Sequence, residues 1–305
     1  MLPFRLIYHD GYDLHLGAHV FPSIKYRLIR ERLMREGFAC EQDFQAPEPV
    51  SDEDLLLVHE RGWLERLKNG TLSYEEIVQL EIPYSRRMVE AFWLAAGGTL
   101  LAGECALRDR VGFNIGGGFH HAFPGHGEGF CAIHDVAVAI RALQKRGRIE
   151  RALVIDCDVH QGNGTAAIFA GDSSVFTISL HQGNNYPAVK PPSTLDLHLE
   201  DGTGDKEYLQ RLRTAYEFAV EGFRPDMVFY IAGADPYQED QLGGLSLSMP
   251  GLRERDRAVF GFALKRKIPV VVTLAGGYAE GVEDTVTIHC NTAKEAREAV
   301  AMVVS

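Results

Sequence analysis

Ala152-Leu153-Val154-Ile155-Asp156-Cys157-Asp158-Val159-His160-Gln161-Gly162-Asn163-Gly164 is the stretch whose reading decides the fold. It opens with four apolar residues in a row, which leave a strand no polar face. Such a strand is covered on both sides, as in the interior of a parallel sheet. The run then turns abruptly polar and ends in glycines, so a buried strand delivers chemistry at its carboxyl end. Short runs of the same kind occur at 5–9, 111–114, 175–180, 227–231 and 270–274. Between them lie segments with helical spacing at 24–35, 87–107, 135–143, 164–170, 205–220, 253–265 and 293–303, the second of them interrupted by Gly97-Gly98. Ser51-Asp52-Glu53-Asp54 reads as a helix start with acids at the positive end of the dipole. Strands alternating with helices predict an α/β fold with a largely parallel central sheet and helices on both faces. No linker or internal repeat divides the chain, so residues 1–305 read as one catalytic domain.

Ligands of such sheets bind beyond the carboxyl ends of the strands, and four of these ends are unusual. They read Ile115-Gly116-Gly117-Gly118-Phe119-His120-His121, Asp156 to Gly164, Ala232-Gly233-Ala234-Asp235-Pro236 and Ala275-Gly276-Gly277-Tyr278. Asp158 and His160 stand at i and i+2, so an extended segment points both to one side. With Asp235 they could form a site of one histidine and two carboxylates. Three protein ligands leave a position open for water, the arrangement of a catalytic zinc. Zinc would bring the pKa of that water toward ~7. Asp156 is placed to orient a neighbouring imidazole.

Each piece also has a plainer reading. A single Asp-x-His recurs by chance, Gly116-Gly117-Gly118 could be a phosphate turn, and His120-His121 could be two surface imidazoles. The glycine run does not fit GxGxxG opening a helix. His9, Asp10, Asp13, His15 and His19 invite a second metal site, but their irregular spacing suits a loop at the site's mouth better. His59, His126, His134, His181, His198 and His289 have no partner visible in the sequence. What favours the chemical reading is that the informative residues all fall at strand ends of one sheet.

Composition narrows the function classes. Thirty-one Lys and Arg face 42 Asp and Glu, a net charge of −11, which argues against binding a nucleic-acid backbone. The longest apolar run, bracketed by Glu90 and Glu104, is too short to span a bilayer, and the N-terminus lacks the pattern of a secretion signal. Five cysteines without a CxxC pair read as reduced thiols of a cytoplasmic protein.

Taken together, these segments resemble the zinc-dependent histone deacetylase superfamily on the arginase/deacetylase fold. The carrying residues are Gly117-Gly118-Phe119-His120-His121, Gly129-Phe130-Cys131, Asp156 to Thr165, Gly233-Ala234-Asp235-Pro236 with Leu242-Gly243-Gly244, and Gly276-Gly277-Tyr278. They run in order through nearly the whole chain. The form Asn114-Ile115-Gly116-Gly117-Gly118-Phe119-His120-His121, with Gln161-Gly162-Asn163-Gly164, looks most like class IV deacetylases and their bacterial relatives. The resemblance implies zinc on Asp158, His160 and Asp235, and a water flanked by His120 and His121, with Asp156 on His120. It implies Tyr278 as oxyanion donor, the Gly129 carbonyl on the substrate amide, Phe130 as a channel wall, and Tyr186 as its counterpart. It also implies a structural potassium at Asp156, Asp158, His160, Ser179 and Leu180.

Two departures from relatives sharpen the reading. Asn163 stands where many class I enzymes carry an acid, which leaves His121 a neutral partner and favours it as general base and then acid. Binuclear ureohydrolases need a further carboxylate after the Asp-x-His unit and paired acids on the later strand. Here Gly162, Asn163 and Pro236 occupy those places, so a second metal lacks ligands. The expected activity is removal of an acyl group from acylated lysine in a protein or peptide. Its rivals are deacetylation of a small acylated amine, such as an acetylpolyamine, and non-catalytic binding of acyl-lysine. A binder would not need the oxyanion donor Tyr278.

Overall fold

The computed structural model describes residues 1–304. The chain begins with β1 (Arg5–Ile7) and α1 (Lys25–Arg35), then β2 (Phe44–Gln45), α2 (Asp52–Leu55), α3 (Arg61–Asn69), α4 (Tyr74–Leu80) and the long α5 (Arg86–Asp109). Strands and helices then succeed one another as β3 (Val111–Asn114), α6 (Asp135–Lys145), β4 (Ala152–Asp156), α7 (Asn163–Ile168), β5 (Val175–Gln182) and β6 (Leu195–Leu199). The chain continues through α8 (Asp205–Phe223), β7 (Met227–Ile231), α9 (Met249–Lys265), β8 (Val270–Thr273) and α10 (Val282–Val304).

The eight strands form one sheet in the order β2-β1-β3-β8-β7-β4-β5-β6, and every pairing is parallel. The expected largely parallel sheet is thus wholly parallel. Every residue of β3, β4, β7 and β8 is buried, as continuous apolar runs require of strands covered on both faces. One layer of packing joins α5 to α6 and α3, with α2 on α6. A second runs from α1 through α10 and α9 to α8.

Three helices depart from their sequence expectation. First, α5 is not interrupted at Gly97-Gly98. Those glycines serve packing: a Cβ on Gly97 would overlap the Glu48 carbonyl, and one on Gly98 the Tyr12 hydroxyl. Second, α10 begins at Val282 and not at 293, through Thr285, Val286, Thr287 and Ile288. These β-branched residues are poor helix formers, but Thr285, Val286 and Ile288 are buried, and packing against α9 and α1 outweighs propensity. Third, α9 starts at Met249, where Ser248 accepts from the Gly251 N–H and a proline occupies the first turn. The cap at Ser51 is as expected, accepting from the Asp54 N–H. Sequence reading misses α3, α4 and the edge strands β2 and β6.

The register brings the four central strand ends level. Asp156 pairs with Ile231, Ile231 with Thr273, and Phe113 with Val272 one residue before the end of β3. Four glycine-bearing loops therefore leave the sheet side by side, although their sequence positions span more than half the chain.

Candidate active site

The loop after β4 is tied down by its own backbone. The Asp158 N–H donates to Asp156 Oδ1 at 3.1 Å, and the His160 N–H to Asp158 Oδ1 at 2.9 Å. The loop after β7 is joined to it, because the Val159 N–H donates to Asp235 Oδ1 at 2.8 Å. The loop after β8 closes the ring with the Gly276 N–H on Asp158 Oδ2 at 2.8 Å. Gly276 allows this approach, since a Cβ there would overlap Asp235 Oδ2.

Asp158, His160 and Asp235 are buried, and each offers a ligand atom within 4.8 Å of the others. His160 Nδ1 lies 3.0 Å from Asp158 Oδ1 and 3.4 Å from Asp235 Oδ2. Asp235 Oδ2 is buried with no hydrogen-bond partner. Burial, and then the Asp158 charge, push the Asp235 carboxyl up. Burial works against charge on His160 as well, yet Asp158 and Asp235 lift it to about 10. Two buried carboxylates, one with an orphaned oxygen, call for a cation; this donor set fits zinc.

The paired histidines follow β3. Asp135, fully buried at the start of α6, accepts from the Gly118 N–H at 3.0 Å and the Phe119 N–H at 2.8 Å and so holds their loop. The His120 and His121 rings lie 4.0 Å apart. His120 Nδ1–H donates to the Asp156 carboxylate Oδ2 at 2.6 Å, and His121 Nδ1 lies 2.7 Å from Asn163 Oδ1. The different partners give opposite outcomes. Burial opposes charge on His120, but Asp156 and Asp158 raise it to about 9. His121 falls well below its usual value, through burial first and then the neighbouring His120 and His160.

A cavity of about 390 Å³ leads to this group. His121, His160 and Tyr278 line it, with Gly129, Phe130 and Tyr186 and, from elements nearer the chain start, His19 and Glu81. The Tyr186 ring stands edge-on to His121 at 4.9 Å, and Phe130 edge-on to Tyr278 at 6.0 Å. Phe130 has a left-handed backbone (φ 68°) and donates its N–H to the Leu80 carbonyl at 3.0 Å, which pins this wall to the end of α4. A larger groove of about 1050 Å³ between β6 and α8 contains none of the strand-end residues.

The structure thus gathers His120, His121, Asp156, Asp158, His160, Asn163, Asp235 and Tyr278 at one place, with Gly129, Phe130 and Tyr186 around the cavity. Ser179 and Leu180 lie on β5, Ser179 in register with Asp156. The residues from His9 to His19 do not converge on one point. His9 accepts from the Gly11 N–H, and Asp13 from the Ser23 hydroxyl, whereas His19 lies at the cavity. Among the described residues only Asp158, His160 and Asp235 bring three such ligand atoms within 4.8 Å of one another.

Several supporting residues are not evident from sequence. Lys25, fully buried, donates to the Ala275 carbonyl at 2.6 Å, and burial pulls its pKa down to about 8 despite Asp235 and Asp158. Asp240 accepts from the Tyr278 N–H at 2.6 Å. Glu128 accepts from the side-chain amide of Asn163, from Tyr186 Oη at 3.2 Å and from Gln79 Nε2 at 3.2 Å, with His126 Nε2 at 3.5 Å. Burial pushes the Glu128 carboxyl up, but these donors outweigh it and hold it below its usual value. Its place between two glycines, two residues before Phe130, is the one signal that could have drawn notice.

An all-parallel α/β sheet whose strand ends unite a buried Asp–His–Asp group, paired imidazoles and a tyrosine defines a protein equipped for hydrolysis. The histone deacetylase domain profile matches residues 19–293. The chain belongs to the histone deacetylase family. An uncharacterized protein of Picosynechococcus sp. is 38% identical over 97% of this chain and 99% of its own length. Histone deacetylase 2 of Arabidopsis thaliana is 34% identical over 90% of this chain and 74% of its own length. The crystal structure of the HDA15 HD domain superposes with a TM-score of 0.78 at 23% identity, covering 98% of this chain and 94% of that one, and shows the shared fold. Among the described residues no helix is long and apolar enough to cross a membrane.

Proposed function

We propose that the chain is a zinc-dependent deacylase that hydrolyses the side-chain amide of acylated lysine in a protein or peptide. The observation that carries this reading is the cavity of about 390 Å³ that runs between Phe130 and Tyr186 to His121, His160 and Tyr278. Its aromatic lining of Phe130 and Tyr186 suits an unbranched, apolar lysyl stem. Zinc held by Asp158, His160 and Asp235 would supply Lewis acidity to water and to the amide carbonyl. His121, kept neutral, takes the proton of the attacking water and returns it to the leaving amine. His120, charged through Asp156, stabilises the negative charge that builds on the reacting oxygen. Tyr278 remains a donor, because burial and then Asp158 and Asp235 raise its pKa well above the usual phenol value. Its hydroxyl stabilises the oxyanion. The Gly129 carbonyl accepts the substrate amide N–H.

The same reading includes a structural potassium at Asp156, Asp158, His160, Ser179 and Leu180, supported by the side-by-side placement of Asp156 and Ser179. It also takes the enzyme as cytoplasmic, with no nucleic-acid partner, in keeping with the net charge of −11. Deacetylation of a small acylated amine such as an acetylpolyamine is the second reading, favoured by the acid Glu81 on the cavity. A panel of acyl-lysine peptides of increasing chain length, run beside acetylpolyamines with zinc-loaded and chelator-treated enzyme, tests both. Zinc-dependent release of free acid from the peptides supports the first. Turnover confined to the polyamines would transfer the assignment to the second, and no turnover of either would refute the hydrolase reading.

A further inference from the structure

We propose that Glu128 is a positioning residue that fixes, through Asn163, which ring nitrogen of His121 carries the hydrogen. The inference rests on the reading of His121 as the proton carrier and adds a member to that machinery. Asn163 is held between two groups: its Oδ1 lies 2.7 Å from His121 Nδ1, and its Nδ2 donates to Glu128 Oε1. An amide can face two ways, and the chemistry of its neighbours decides between them. Glu128 is ionised and can only accept, so the NH2 of Asn163 must face it. The carbonyl oxygen of Asn163 then faces His121, whose Nδ1 must carry the hydrogen. The Nε2 lone pair remains for the proton transferred in the reaction. The Gly164 N–H donates to the same Asn163 Oδ1 at 3.1 Å, a second and weaker hold on the amide.

The two histidines therefore meet carboxylates in different ways. Asp156 touches His120 directly, its Oδ2 on His120 Nδ1. Glu128 acts on His121 across an amide, which transmits orientation while keeping the negative charge one residue away. The base is held in its productive tautomer without being driven to the cationic form that could not accept a proton. Glu128 is itself fixed, since the Cys131 N–H donates to its carbonyl at 2.9 Å and Gln79 and Tyr186 occupy its carboxylate.

The test reads the tautomer directly, by two-bond 1H–15N correlation on histidine-labelled, zinc-loaded enzyme, with His121 assigned from a His121→Gln sample. Wild type should show Nδ1–H. Glu128→Ala should populate Nε2–H and lower kcat about ten-fold with KM nearly unchanged, the scale of one lost hydrogen bond to a charged group. Glu128→Gln, whose carbonyl oxygen can still accept from Asn163, should restore Nδ1–H and most of the rate. Tyr186→Phe, which breaks only the tyrosine's bond to Glu128, should keep Nδ1–H. Zinc content should stay at one equivalent throughout. Retention of Nδ1–H in Glu128→Ala would overturn the proposal, as would loss of Nδ1–H in Tyr186→Phe. The tautomer is measured without substrate, so a failure of the deacylase reading would leave this result standing or falling by itself.

Discussion

Tyr278→Phe isolates one hydrogen bond in the reaction. The loop around it is anchored by backbone groups: the Tyr278 N–H on Asp240 at 2.6 Å, and the Tyr278 carbonyl accepting from Gln241 Nε2 at 2.8 Å. The ring packs near Phe130, Phe21 and His160 at 6.0, 6.3 and 6.4 Å between centroids. Phenylalanine keeps all of these contacts. The hydroxyl takes no part in that anchoring, so stability should move by less than about 1 kcal/mol. What disappears is a donor to an oxygen that becomes negative only as water attacks. Its loss should fall on kcat and not on KM, by about 10²–10³, or about 2.7–4 kcal/mol. The assay is release of acetate from an acetyl-lysine peptide at saturating and limiting substrate, with metal content and melting temperature measured on the same sample. Wild-type kcat would refute the oxyanion role. A lower rate accompanied by lost zinc or a melting temperature many degrees lower would refute the claim that the hydroxyl acts on chemistry alone.

Asp158→Ala, His160→Ala and Asp235→Ala should each lose bound metal and deacylation, because two remaining ligands make an incomplete site; a full metal equivalent with normal turnover would remove that residue from the ligand set. His121→Ala should lower kcat by about 10²–10⁴ and His120→Ala by less, as only the neutral imidazole can accept the proton; equal losses would argue against this division of labour. His59 is buried, with Nδ1 on the Phe123 carbonyl at 3.1 Å and Nε2 accepting from the His134 N–H at 3.0 Å, and burial lowers its pKa to about 4. The unfolded chain takes up its proton near pH 6.5 and the folded chain near 4, so stability is full above pH 6.5 and falls as pH drops toward 4, by about 3 kcal/mol from this residue. Denaturant melts of wild type and His59→Gln from pH 7.5 to 4 should show a shallower fall in the variant, and parallel curves would exclude His59 as a source of the acid sensitivity.

Local patterns decided a good part of this molecule. The unbroken apolar run before Asp156 has no polar face, so by itself it demands a strand covered on both sides, and β4 is such a strand. The two-residue spacing of Asp158 and His160 puts both on one side of an extended segment, because side chains alternate with period two. The glycines and the adjacent histidines likewise follow from chemistry within a few residues. The helix start at Ser51 was legible from its cap, whereas the capped starts of α4 and α9 were passed over and the beginning of α10 was hidden because packing overruled propensity. Partners across the sheet were another matter. Asp235 meets Asp158 because β7 lies beside β4, and Tyr278 meets both because β8 lies beside β7, an order set by how helices cross over and pack. Without a family resemblance, no periodicity in the chain encodes that order. The sequence showed that His121 could have a neutral partner in Asn163. Only the tertiary structure placed Glu128, 35 residues earlier, on the far side of that amide, since a hydrogen bond between two loops depends on where the sheet sends them and not on any local pattern.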